Sequence, residues 1–255
     1  MESHTATVRM YAELNDFLPP ERRRRAFRYA FHGRPAVKDA IEALGVPHTA
    51  VDLVLVNGTS VDFDHRLRDG DRVAVYPVFE TLDITPLVRL RPAPLREPRF
   101  ILDVHLGALA RLLRLLGFDA VYENDLDDPE IVARSLAEHR IILTRDRGLL
   151  KRGEVTHGYW VRSQEPVTQA REVVARFDLA RQAAPFRRCL VCGGCLEAVE
   201  PAAVTDEVPP RVAEAHDRFW RCTGCGKIIW RGSHVRRLRA TLDAILAGMA
   251  ERAER

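Results

Sequence analysis

Two Cys-x-x-Cys pairs in the C-terminal part of the chain constrain its fold more than any other feature. Cys189 and Cys192 form the first pair, Cys222 and Cys225 form the second, and 29 residues separate the two pairs. Two such turns can supply four thiolates at the corners of a tetrahedron, which is the usual arrangement around structural zinc. We therefore expect a zinc ribbon over residues 185–240. Four thiolates leave no open position for a substrate, so this zinc would be structural.

A fifth cysteine leaves one alternative open. Cys192 and Cys195 also form a Cys-x-x-Cys pair, so the first half of the site could be assigned differently. The arginine before Cys189 and the glycine after Cys192 favour the Cys189–Cys192 pair. Cys195 is then expected to be a spare thiol.

Composition indicates an ordinary globular protein of two or three small domains. Hydrophobic residues make up 46% of the 255 residues, charged residues make up 29%, and the net charge is +3. That charge is too small to identify a nucleic-acid partner. The N-terminal residues lack the pattern of a signal peptide, and no apolar run reaches the roughly 20 residues of a membrane span. We expect a cytoplasmic protein with no membrane partner, since clustered cysteines are typical of metal sites in reducing compartments.

Residues 1–82 predict a small α+β domain of the β-grasp type. A strand around Val8 precedes a helix that starts at Val37, and a second strand runs into the turn Asn57-Gly58, a strong hairpin signal. These segments resemble the ubiquitin-like sulfur-carrier group, ThiS and MoaD. Members of that group react through a free C-terminal Gly-Gly tail, whereas here the chain continues past Phe79. The resemblance therefore implies a docking module for a protein partner and no thiocarboxylate chemistry.

Proline marks the next boundary. Residues 83–98 contain four prolines, which remove backbone donors and stop helices, so this stretch is expected to be a semi-rigid linker.

Residues 99–184 alternate between strand and helix, which predicts a parallel sheet in an α/β domain. In such sheets, ligands bind beyond the carboxyl ends of the strands. Asp103 follows the first strand, Asp146 follows the third, and Asp128 stands at the entry to the second helix. Carboxylates gathered at that edge would suit Mg²⁺ or Mn²⁺. Alternatively, Asp128 is only a helix cap and Asp146 only a turn residue.

The same segment closely resembles the Mut-seven C-terminal domain, a member of the PIN-like nucleases. The resemblance is carried by LGALARLLRLLGFD (106–119) and LTRDRGLLKR (143–152), and it extends to the C-terminal zinc ribbon. It implies an RNase whose catalytic metal is held by Asp103, Asp128 and Asp146. Among the basic residues near this edge, Arg145 and Arg147 are the better phosphate ligands. Arg111 is a weaker one, because a solvated helix face is favoured for both Arg111 and Arg114.

The sequence thus predicts a multidomain α+β and α/β chain that ends in a helix or tail over 241–255. Its expected function is hydrolysis of RNA phosphodiester bonds, with tRNA or rRNA as possible substrates. The fourth acid that is common in PIN-like nucleases has no convincing counterpart here. Two alternatives therefore stay open: a non-catalytic RNA- or ribosome-binding module, and a ubiquitin-like adaptor to a protein partner.

Overall fold

A computed structural model describes residues 3–77 and 98–247. The strands are β1 (Ser3–Met10), β2 (Phe27–His32), β3 (Val51–Val56), β4 (Thr59–Val61), β5 (Arg72–Pro77), β6 (Arg99–Leu102), β7 (Asp119–Val121), β8 (Ile141–Thr144), β9 (Gly158–Trp160), β10 (Leu196–Val199), β11 (Phe219–Cys222) and β12 (Ile228–Trp230). The α-helices are α1 (Val37–Ala43), α2 (Gly107–Leu116), α3 (Asp128–Glu138), α4 (Arg147–Leu150), α5 (Pro166–Arg176), α6 (Pro210–Ala215) and α7 (His234–Leu246). Most of the proline-rich linker predicted over 83–98 lies outside the described residues.

The described residues divide into two compact units. The first contains residues 3–77 together with 146–160, and the second contains residues 98–145 together with 161–247. The short segment that starts at Asp146 therefore groups with the N-terminal residues, although it is distant from them in sequence. No helix in either described stretch is long and apolar enough to cross a bilayer.

The first unit is built on a mixed five-stranded sheet in the order β2-β1-β5-β3-β4. β1 and β5 run parallel, whereas the other neighbouring strands are antiparallel. Val8 from β1, Ile41 from α1 and Val75 from β5 are buried in one core, so α1 packs on one face of the sheet. This arrangement confirms the predicted β-grasp fold. The Asn57-Gly58 turn between β3 and β4 has positive φ at both residues, as a type I′ hairpin requires.

The second unit contains the predicted parallel sheet. β6 pairs in parallel with β7 on one side and with β8 on the other, so it is a central strand. Its residues Phe100, Ile101 and Leu102 are fully buried, as expected for a strand covered on both faces. α2 ends at Gly117, where φ is +99° and an L side chain would be strained.

The start of α3 differs from the sequence-based interpretation. The alternative interpretation of the sequence made Asp128 the cap of this helix. Instead, Asp127 is the cap, since its side chain accepts a hydrogen bond from the amide of Glu130 at 2.9 Å. Asp128 is the first residue of the helix and Pro129 the second. The assignment was wrong because Asp127 and Asp128 are adjacent and either residue type can cap a helix.

The C-terminal part of the second unit is a three-stranded antiparallel sheet in the order β10-β11-β12. Phe219 from β11 and Ile228 from β12 pack with Val204 and Val208 in a small core. Helix α7 follows, and the guanidinium of Arg171 in α5 donates to the carbonyl of Ala244 at 2.6 Å.

Candidate functional site

The four cysteines of the two Cys-x-x-Cys pairs lie together in the second unit. Their sulfur atoms all lie within 4.8 Å of one another. The Cys192 and Cys222 sulfurs are 3.3 Å apart, and those of Cys189 and Cys225 are 3.9 Å apart. A tetrahedral zinc ion with Zn–S bonds of about 2.3 Å requires sulfurs about 3.8 Å apart, so the spacing fits such an ion. These four cysteines could therefore hold a metal.

Backbone amides around the cluster fix the positions of two sulfurs. The amide of Gly194 points at the Cys192 sulfur and that of Gly224 at the Cys222 sulfur, both at 3.4 Å. A Cβ atom at Gly194 would lie 2.9 Å from the Cys222 sulfur and 2.8 Å from the Gly224 nitrogen. Only glycine allows the two turns to approach this closely.

The surroundings shift the pKa values of two thiols in the cluster in opposite directions. Burial raises the pKa of the Cys192 thiol to about 12. Burial opposes ionisation of Cys222 as well, but hydrogen bonds from the Cys225 amide, the Cys192 thiol and the Gly224 amide lower the pKa of Cys222 to about 7. The thiolate is the form of cysteine that binds a metal.

Cys195 lies outside this group. Its side chain is exposed, and its backbone carbonyl accepts a hydrogen bond from the Thr223 amide at 2.9 Å. The structure thus brings together the four cysteines favoured by the sequence and leaves the fifth apart.

Arg114 joins helix α2 to the first cysteine turn, a role that sequence reasoning missed. We expected Arg114 on a solvated helix face, and this was wrong, since its relative exposure is 3%. Its guanidinium donates to the carbonyl of Ala120 at 2.8 Å and to that of Val191 at 2.7 Å. Burial lowers the pKa of Arg114, while the nearby Cys192 and Cys189 oppose that effect. No local sequence signal distinguishes this arginine from Arg111, which is exposed.

Asp103 is the buried acid of the second unit. It directly follows the central strand β6, and its relative exposure is 7%. The hydroxyl of Thr144, which is fully buried at the end of β8, donates to Oδ2 of Asp103 at 2.7 Å. The amide of Asp103 also donates to the carbonyl of Leu143 at 3.1 Å. The carboxylate is thus held at the carboxyl ends of two parallel strands, and Thr144 is a neighbour that sequence analysis did not single out.

Asp128 and Asp146 are both exposed. Asp128 begins α3, and Asp146 caps α4 by accepting a hydrogen bond from the Gly148 amide at 2.7 Å. Within residues 3–77 and 98–247, the cysteines are the one group of three or more potential ligands with donor atoms this close together. A metal site formed by Asp103, Asp128 and Asp146 therefore remains a prediction.

Arg147 stacks on aromatic rings of the first unit. Its guanidinium carbon lies 3.9 Å from the centre of the Trp160 ring and 5.3 Å from that of Phe17, and the two rings are 4.9 Å apart. Such stacking fixes the guanidinium while its N–H groups can still donate in the plane. Arg145 is exposed.

The segment from Asp146 to Trp160 is also held by polar contacts. Nε2 of the buried His48 lies 2.8 Å from the carbonyl oxygen of Val155, and Nδ1 lies 2.6 Å from a carboxylate oxygen of Glu42. Because a carbonyl and a carboxylate oxygen only accept, each ring nitrogen is the donor in its contact. The ammonium of Lys151 donates to the backbone carbonyl of Glu42 at 3.0 Å. The β-grasp residues therefore bind this segment at several points.

Comparison with protein families matches both parts of the chain. The family described as Mut7-C RNAse domain matches residues 98–242, and the family described as Mut7-C ubiquitin matches residues 3–83. Searches of curated proteins and of solved structures found no significant match. The RNAse-domain match covers more than half of the 255 residues, so the chain belongs to the Mut7-C RNAse domain family and carries a Mut7-C ubiquitin domain at its N-terminal end.

Proposed function

We propose that this protein is a metal-dependent ribonuclease that hydrolyses phosphodiester bonds in RNA. The observation that carries the proposal is the position of Asp103, a buried acid at the carboxyl end of a central parallel strand. Ligands of open α/β sheets bind at such positions. Membership of an RNAse-domain family adds independent support.

Asp103 would act with Asp128 and Asp146 as the ligands of Mg²⁺ or Mn²⁺. An ionised carboxylate has acceptor capacity for about four bonds, so the hydroxyl of Thr144 at 2.7 Å does not exhaust that of Asp103. A bound divalent ion would supply charge that stabilises the scissile phosphate and a water of lowered pKa. The residues of the chain would supply orientation, because Thr144 fixes one oxygen of Asp103.

Arginine side chains would bind the RNA phosphates. Arg145, Arg147 and Arg111 are the candidates, since guanidinium groups donate paired hydrogen bonds to phosphate oxygens. Arg147 is the most rigid of the three because it stacks on Trp160. Exposed Arg145 and Arg111 would contribute mainly through charge.

The cysteine cluster would hold a structural zinc ion. Its sulfur spacing fits a tetrahedral site. The four ligands complete the coordination shell, so this metal would stabilise the fold and take no part in hydrolysis.

The test is cleavage of end-labelled RNA by Asp103→Asn. The amide keeps the shape of the side chain but removes an anionic oxygen ligand, so we expect Mn²⁺-dependent cleavage to fall by at least about 100-fold while thermal unfolding changes little. Asp217→Asn, an exposed acid in the cysteine-containing part, is the matched control. Cleavage by Asp103→Asn at the rate of the unaltered protein would refute the proposed site.

A non-catalytic RNA-binding module is the second candidate. It is favoured because Asp146 caps a helix and Asp128 starts one, so each has a structural role without a metal. This candidate predicts RNA binding by the unaltered protein with no cleavage at any concentration of Mg²⁺ or Mn²⁺.

A further inference from the structure

The open face of the β-grasp sheet carries a set of arginine and tyrosine side chains that the proposed nuclease site does not use. In β1, β2 and β5 the side chains alternate between the core, where α1 packs, and the opposite face. On the opposite face, β1 presents Thr7 and Arg9, β2 presents Arg28, and β5 presents Arg72 and Tyr76. The three arginines are exposed.

Strand register places these residues in rows. Thr7 pairs with Arg28 on one side and with Arg72 on the other, so the two arginines flank it across three strands. Neighbouring strands are about 4.8 Å apart, which puts the backbones of Arg28 and Arg72 about 10 Å apart. Arg9 lies opposite Ala74 in the next row on the same face. The three arginines thus form a triangle on one surface.

Two tyrosines extend this surface beyond the arginines. The rings of Tyr11 and Tyr76 are stacked, with centroids 4.2 Å apart and planes inclined by 13°. The guanidinium carbon of Arg9 lies 4.9 Å from the centre of the Tyr11 ring. Burial and the hydrogen bond with Tyr11 raise the pKa of Tyr76, so this ring stays neutral and presents no negative charge to an anionic ligand.

At the paired positions of the strands, the ionised side chains on this face are all positively charged. Its ionised side chains there are Arg9, Arg28 and Arg72. Two carboxylates lie near these strands: that of half-buried Asp52, at the irregularity in β3 between Val51 and Leu53, and that of exposed Asp69, which accepts from the Thr5 amide at 2.7 Å. The three arginines outnumber these two carboxylates, so the surface is complementary to an anion.

From this geometry we infer that the open face of the β-grasp sheet, defined by Arg9, Arg28, Arg72, Tyr11 and Tyr76, binds single-stranded RNA. Half-buried aromatic rings beside exposed arginine side chains on a sheet suit unpaired nucleotides, because bases stack on flat groups while arginines bind the phosphates. The face extends about 13 Å from Thr7 to Tyr11 along β1, which is room for about two or three nucleotides. The apolar side chains of Leu53 and Leu55 lie on the same face, opposite Tyr76 and Ala74.

The experiment measures binding of a fluorescent oligouridylate to the full chain in buffer without Mg²⁺ or Mn²⁺. Cleavage plays no part in it, so a failure of the proposed nuclease activity would not affect the result. Each of Arg9→Gln and Arg72→Gln should weaken binding and reduce the slope of log K against log salt by about 0.7, the value for one lost phosphate contact. Arg66→Gln is the matched control. Exposed Arg66 lies outside β1, β2 and β5, where its backbone forms an isolated β-bridge with Ala36.

Tyrosine variants separate stacking from simple charge attraction. Tyr11→Leu and Tyr76→Leu should weaken binding by about 5- to 100-fold without changing the salt slope, because each removes a flat ring and no charge. Circular dichroism verifies that the tyrosine variants are folded. If the tyrosine variants are unfolded, the variants of the exposed arginines still test the inference.

Two results would overturn the inference. One is oligouridylate binding by the arginine variants with the affinity and salt slope of the unaltered protein. The other is competition by polyglutamate that is as strong as competition by unlabelled oligouridylate, together with normal binding by the tyrosine variants. That result would identify an acidic protein as the partner of this face.

Discussion

Replacing His48 tests whether the β-grasp residues hold the segment that starts at Asp146. His48→Leu keeps a similar volume but removes both ring nitrogens, so the Val155 carbonyl and the Glu42 carboxylate each lose a buried partner. A neutral hydrogen bond contributes about 0.5–1.5 kcal/mol, and one to a charged group contributes about 1.5–3 kcal/mol. Because the Glu42 side chain is only 21% exposed, water can compensate for little of the lost hydrogen bond to its carboxylate. We expect the free energy that keeps the segment closed to fall by about 2–4 kcal/mol.

The assay is hydrogen–deuterium exchange of the amides in this segment. The amides of Lys151, Arg152 and Val155 form backbone hydrogen bonds inside it, so their exchange reports local opening. A loss of about 2–4 kcal/mol accelerates their exchange by about 30- to 1000-fold, at ten-fold per 1.4 kcal/mol. His48→Gln keeps an N–H donor near the position of Nε2 and should show a smaller acceleration. Glu154→Gln alters an exposed charge of the same segment and should show none.

Unchanged exchange of these three amides in His48→Leu would refute the reasoning. It would mean that the contacts of Lys151 with Glu42 and of Arg147 with the aromatic rings already suffice to hold the segment. An equal acceleration throughout the β-grasp sheet would also refute it, because the histidine would then stabilise the whole unit and not this segment.

Two further predictions concern the second unit. Purified protein should contain about one zinc ion per chain by elemental analysis; Cys222→Ser should abolish it, and zinc loss from Cys195→Ser would overturn the ligand assignment. Gly117→Ala should reduce the free energy of unfolding in urea by about 2–5 kcal/mol, because φ is +99° and the new Cβ would lie 2.2 Å from the Ala184 carbonyl oxygen. Gly153→Ala, which meets nothing within 4 Å, should change it little, and equal effects would exclude the clash as the cause.

Local sequence patterns were sufficient to predict several elements of both units. The type I′ turn at Asn57-Gly58 follows from two residues that tolerate positive φ, and the structure has it. The cysteine cluster follows from the spacing of the two pairs together with the residues that flank the first pair, because two short turns with the same ligand geometry can meet around one ion. The parallel sheet follows from alternating strands and helices. Each of these predictions depends on neighbours within a few residues or on a fixed ligand geometry.

Contacts between distant parts of the chain were not predictable. Arg114 has the residue type and helical position of a solvated side chain, and its burial depends on carbonyls of Ala120 and Val191 that only the folded chain brings near. Nothing in the sequence distinguishes Thr144 from other strand residues, whereas in the structure its hydroxyl donates to Asp103. The grouping of residues 146–160 with the β-grasp unit has no local signal either, because His48 and Val155 are 107 residues apart.

The contacts of Arg114 have a consequence for the role of the metal. A buried guanidinium must satisfy its donors, and here the carbonyl of Ala120 beside the parallel sheet and that of Val191 in the first cysteine turn both accept from it. The cysteine turn is therefore a packing partner of α2, in addition to being part of a small ribbon. Any free energy that zinc contributes by ordering this turn also stabilises the α2 position, because the unfolded turn leaves Arg114 without a buried acceptor. A zinc ion held by the four cysteines would thus be coupled to the unit that carries Asp103.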